Sequence, residues 1–174
     1  MMRPPVAGGA SPRMRLPLCA AAMLLALPLA RPAAAAVTLS TDFRPIAFGV
    51  MQLDQEQVLA QFGTHHNELT CASSDGRAWY LKIQVLQPLS SGAATIPLER
   101  FEWELIDTTG RGTMAHRNAF TPFSLTPDLV YMSGPDEAGG TPVRLRFRYR
   151  LRIPEQQPSG IYQTTIRFTF TELL

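Results

Sequence analysis

In residues 142–154, PVRLRFRYRLRIP, arginine and apolar residues alternate without interruption: Arg144, Arg146, Arg148, Arg150 and Arg152 on one parity, and Val143, Leu145, Phe147, Tyr149, Leu151 and Ile153 on the other. Successive side chains of a strand leave on opposite faces, whereas a helix would spread these arginines around its whole circumference. The segment therefore reads as one β-strand with an oily face and a basic face, fenced by Pro142 and Pro154. A sheet with one oily face needs a second layer to cover it, and that requirement shapes the rest of the chain.

The same period recurs. AWYLKIQVL puts Trp79, Leu81, Ile83 and Val85 on one side and Tyr80, Lys82 and Gln84 on the other. ERFEWELID sets Phe101, Trp103 and Leu105 against Arg100, Glu102 and Glu104, and YQTTIRFTFT sets Tyr162, Thr164, Ile166, Phe168 and Phe170 against Gln163, Thr165, Arg167 and Thr169. Half-buried antiparallel strands alternate in this way. Clusters of Gly, Ser, Asp and Pro at 73–77, 90–93, 108–112 and 134–140 read as turns between them. Residues 55–62 suit either a short helix or a strand, and Pro122 and Pro127 make 113–131 an edge or irregular strand. The expected fold is all-β, an antiparallel sandwich of immunoglobulin-like kind, in a single domain over residues 37–174.

Residues 1–36 read as a cleaved export signal. Arg13 and Arg15 precede the apolar run LPLCAAAMLLALPLA, and small residues ending near Ala36 offer a cleavage site. The run spans only residues 16–30, short of the roughly 20 residues that cross a bilayer, so no transmembrane span is expected. Cys19 lies at the front of this run after Leu18, which does not suit a lipid-anchor site. The expected destination is the periplasm, the cell surface or the extracellular medium.

Of the 16 basic residues, Arg3, Arg13, Arg15 and Arg31 fall in residues 1–36, along with no acidic residue; residues 37–174 hold 12 basic against 14 acidic groups. That formal charge of −2 argues against a nucleic-acid partner, which would call for a cationic domain. Cys71 is the only cysteine left beyond residue 36, so no internal disulfide is expected, and its place in ELTCAS suits a buried thiol.

Groups suited to catalysis are few. His65, His66, Glu68 and Cys71 lie close in sequence, but neighbouring residues of an extended chain point apart and no zinc-ligand spacing is present. No nucleophile elbow, metalloprotease helix motif or phosphate loop occurs. The expectation is a non-enzyme with no catalytic residues, no cofactor and no metal.

Two segments resemble spore coat protein U-type domains. PIAFGVMQLDQEQ and NELTCASSDGRAWYLKIQV carry the family's opening pattern at Phe48, Gly49, Cys71, Gly76 and Tyr80. RIPEQQPSGIYQTTIRFTF is similar to its closing segment at Pro154, Gly160, Tyr162, Thr165 and Phe168. The resemblance covers about half of residues 37–174. It implies an immunoglobulin-like sandwich and a role as a secreted coat protein or as a subunit of archaic-type chaperone–usher pili, completed by a strand from a neighbouring subunit. The family's cysteine ahead of Phe-Gly, which would bridge to Cys71, has no counterpart between Val37 and Phe48.

Two functional readings follow. VTLSTDF sets Val37, Leu39 and Phe43 on one face, a segment able to pair with its own sheet or with a neighbour's edge, so like subunits or a periplasmic chaperone are candidate partners. The arginine row, with about 6.5–7 Å between successive side chains, is either a charge ladder against Glu102 and Glu104 of an adjacent strand or a face for anionic polysaccharide or lipopolysaccharide.

Overall fold

The computed structural model describes residues 37–42, 44–60, 64–117 and 119–172. Residues 1–36, read from the sequence as an export signal, and Phe43 lie outside the described residues. Twelve strands are described: β1 (Val37–Thr41), β2 (Glu56–Leu59), β3 (Asn67–Ser73), β4 (Tyr80–Val85), β5 (Leu89–Ser91), β6 (Ala94–Ile96), β7 (Phe101–Thr108), β8 (Thr113–Met114), β9 (Thr121–Pro122), β10 (Asp128–Met132), β11 (Val143–Arg152) and β12 (Ile166–Thr171). Among the described residues, helix is confined to a 3-10 turn at Leu98–Arg100 and a single turn α1 at Pro135–Ala138.

The strands form the all-β antiparallel sandwich expected from their alternation. The first sheet runs β1-β3-β11-β7-β9, with β2 also pairing β11 in line with β3. The second runs β12-β4-β10-β8, and β5-β6 is a separate hairpin. The inward residues of β11, from Val143 to Leu151, are all buried, as are Trp79, Leu81, Ile83 and Val85 of the facing sheet and Phe101, Trp103 and Leu105 of β7. Phe147 on β11 meets Phe168 on β12 at 5.4 Å between ring centres, joining the two layers. Burying each large apolar side chain is worth about 1.5–3 kcal/mol, so this interior stabilises the fold without a disulfide.

Local chemistry explains where strict alternation breaks. Residues 55–62, equally compatible with a helix, supply the strand β2, which lines up beside Arg152–Tyr149. The stretch 113–131 is three short strands, with Pro122 at the sheet edge in β9, where its missing N–H is harmless. A register shift in β10 between Leu129 and Tyr131 lets Val130 and Tyr131 both be buried. Residues 134–140, read as a turn, contain α1, with proline at its start.

Candidate functional site

β11 is the central strand of the larger sheet, flanked by β3 and β2 on one side and β7 on the other. Its arginines stand on the sheet's outer face, and the flanking strands bring carboxylates level with them. Arg148 pairs with Glu104 (Nε to Oε2, 2.6 Å), and Arg150 with Glu102 (2.5 Å). Arg146 bridges both neighbours, reaching Glu68 at 2.8 Å and Asp107 at 3.0 Å. Arg144 lies 3.8 Å from Glu68, Arg152 is 2.9 Å from Asp54, and Arg150 is also 3.9 Å from Glu56. Hydrogen bonds to these carboxylates hold the Arg146, Arg150 and Arg152 guanidinium groups above their usual pKa range. Phe120 lies over the ladder, its ring centre 4.2 Å from the Arg150 guanidinium carbon and 5.0 Å from that of Arg148.

The five guanidinium groups thus meet six carboxylates: Asp54, Glu56, Glu68, Glu102, Glu104 and Asp107. An incoming anion would have to displace carboxylates already paired with these arginines, two of them bridged by Arg146, so this geometry favours the charge-ladder reading over a binding face. Glu102 and Glu104 were legible from alternation. Glu68 was equally available, since it alternates with the inward Asn67 and Leu69. Asp107 was not, because it shares the outer face with Glu104 only through a register shift that sets aside Ile106.

The strand-addition segment lies at the opposite edge of that sheet. β1 pairs with β3 in the register Val37↔Ser73, Leu39↔Cys71 and Thr41↔Leu69. Asp42 ends it: its N–H donates to Glu68 O, and its Oδ1 accepts from Glu68 N at 2.7 Å. All five β1 residues are exposed, including Val37 (49%) and Leu39 (40%) on the face that continues the interior. Their partners Ser73 and Cys71 are fully buried. β1 therefore extends the sheet past the point where the second sheet covers it. Phe43, the third residue of the proposed segment, is outside the described residues.

The histidine–cysteine cluster is dispersed. His66 is buried with Nε2 3.2 Å from Pro45 O, His65 Nδ1 lies 3.4 Å from Thr64 Oγ1, and Cys71 is in the core. Burial pushes the Cys71 thiol up from 9.0 to about 12, which suppresses thiolate chemistry. Among the described residues no group of three His, Cys, Asp or Glu side chains is placed to hold a metal ion. None of their helices is long and apolar enough to cross a membrane.

One polar centre escaped the sequence reading. Glu137 of α1 is buried, and its carboxylate accepts hydrogen bonds from Tyr131 Oη (2.8 and 2.9 Å) and from the N–H groups of Arg111, Gly112 (3.2 Å) and Gly134 (2.5 Å). A side chain at Gly110 or Gly112 would collide with Tyr131, which accounts for glycine at both positions. The arrangement ties α1 to the β7–β8 loop.

Comparison of the chain with protein-family models, with curated proteins and with solved structures finds no match.

Proposed function

We propose that this is an exported, non-catalytic structural or interaction protein of the bacterial surface or periplasm, a coat- or pilus-type subunit that joins like subunits by strand addition, β1 pairing with a neighbour's β3 as it pairs here with its own. The observation that carries the reading is the state of β1: a five-residue edge strand, exposed throughout, whose apolar Val37 and Leu39 have solvent where a core strand would have an opposing layer. The export signal at residues 1–36 and the resemblance to spore coat protein U-type domains point the same way.

The test is sedimentation of the purified protein across a concentration series, with and without residues 37–44. Concentration-dependent oligomers that disappear on deletion support strand addition. A monomer at every concentration, or oligomers indifferent to the deletion, would overturn it.

A further inference from the structure

The two outer faces of the sandwich are charged by opposite rules. On the larger sheet each arginine of β11 has a carboxylate. On the smaller sheet the outer positions follow from the register: Thr171 beside Tyr80 and Met132, Thr169 beside Lys82 and Leu129, and Arg167 beside Gln84. No aspartate or glutamate stands among them. Lys82 and Arg167 are diagonal neighbours across β4 and β12, about 7–8 Å apart by the geometry of antiparallel pairs. Neither has an ion pair or hydrogen-bond partner among the described residues. The acids at the rim are engaged elsewhere: Asp128 lies 3.2 Å from His116, and Glu172 interacts with Asp75.

We propose that this outer face of the smaller sheet binds an acidic polysaccharide, with Lys82 and Arg167 meeting its carboxylate groups. Residues 37–174 have more acids than bases, yet the fold places none of the acids here; two like charges stand together uncompensated, which suits an anionic partner. The surroundings suit a sugar chain. Thr169 and the free end of Tyr80 offer hydroxyl donors and acceptors, Gln84, whose Nε2 donates to Leu125 O, adds a side-chain carbonyl, and the half-buried Tyr80 ring gives a flat apolar surface. A strand face is also flat and extended, as a linear polymer requires. Anionic lipid is the poorer partner, since Met132 is the one apolar residue of this set that is exposed.

The experiment measures binding of the purified protein, at concentrations where it is monomeric, to polygalacturonate, with neutral dextran and phosphatidylglycerol vesicles as alternative probes. Failure of strand addition would leave this result untouched. Binding to polygalacturonate is expected, weakening as salt is raised. The pair Lys82→Gln/Arg167→Gln should weaken it about tenfold or more, as loss of two charge-assisted contacts implies. Lys82→Arg/Arg167→Lys should restore it, and Arg144→Gln/Arg152→Gln on the opposite face should leave it within about twofold. No binding at low salt, equal loss in the Arg144/Arg152 variant, or binding to vesicles but not to the polymer would each overturn the proposal. Thermal melts of the variants separate loss of binding from loss of fold.

Discussion

Arg148 Nε donates to Glu104 Oε2 at 2.6 Å across the β11–β7 pair, and Glu104 is only 4% exposed although it faces outward from the sheet. The guanidinium, with Phe120 above it, covers the carboxylate, so the outer layer of this sheet is a partly buried charge network rather than a set of solvated ions.

The first expectation follows from that burial. Arg148→Met leaves the Glu104 carboxylate buried without its cation. Fully buried pairs lose about 3–5 kcal/mol when one partner is removed, and the partly exposed guanidinium here places the loss near about 2–3 kcal/mol. Adding Glu104→Leu should recover most of it, because the orphaned charge goes too. Urea denaturation of the two variants measures both, and a double variant no better than Arg148→Met would count against a buried network.

A second concerns Glu137. Glu137→Ala removes the acceptor of the Tyr131 hydroxyl and of the Arg111 and Gly134 N–H groups together, while Gly112 N–H keeps Tyr131 Oη. Each unsatisfied buried group is worth about 1–3 kcal/mol, so a loss of at least about 3 kcal/mol is expected, and Glu137→Gln, which keeps one acceptor oxygen, should lose less. Chemical denaturation reads the order. The cluster also pushes the Tyr131 hydroxyl well above the ordinary tyrosine range, chiefly by burial and by its bond to Glu137.

A third concerns alkaline stability. The Cys71 thiol is raised by burial from 9.0 to about 12, so between those pH values the unfolded chain has released a proton that the folded chain retains. The stabilisation is complete below pH 9 and is lost as pH rises toward 12, at up to about 1.4 kcal/mol per pH unit. Tyr149, raised by burial and by Asp42, acts in the same direction at its own higher range. Denaturation midpoints from pH 8 to 10 should fall for the native sequence and fall less for Cys71→Ala. An identical slope in both would contradict the assignment.

Much of this was legible before the structure. The alternation of Trp79–Val85, Phe101–Leu105 and Val143–Ile153 identified the inward faces, and the matching two-residue spacing of Glu102 and Glu104 identified β7 as the neighbour of β11. What stayed hidden depends on departures from period two or on distant chain. Asp107 reaches the ladder through the irregularity at Ile106, and Asp54 reaches Arg152 from a turn in which its own φ is +56°. Glu137 sits in a segment whose glycines and proline spell a turn, and nothing local reveals that Arg111, Gly112 and Tyr131 converge on it. The unpaired state of Lys82 and Arg167 likewise depends on which strands flank β4, which no single strand discloses.

Strand addition at β1 is tested most directly through Thr38 and Ala72, which face each other across β1 and β3 on the outer face of the sheet. Directly opposed residues in an antiparallel pair have Cα atoms about 4.5–5.5 Å apart, within disulfide range. In Thr38→Cys/Ala72→Cys, gentle oxidation should bridge positions 38 and 72, while in Leu39→Cys/Ala72→Cys, whose two thiols lie on opposite faces, positions 39 and 72 should not bridge. Non-reducing electrophoresis with peptide mass mapping then shows whose β1 lies on whose β3. Bridges within one chain in dilute solution, giving way to bridges between chains as concentration rises, are the expected result. Bridges confined to single chains at every concentration would contradict assembly by exchange of this strand.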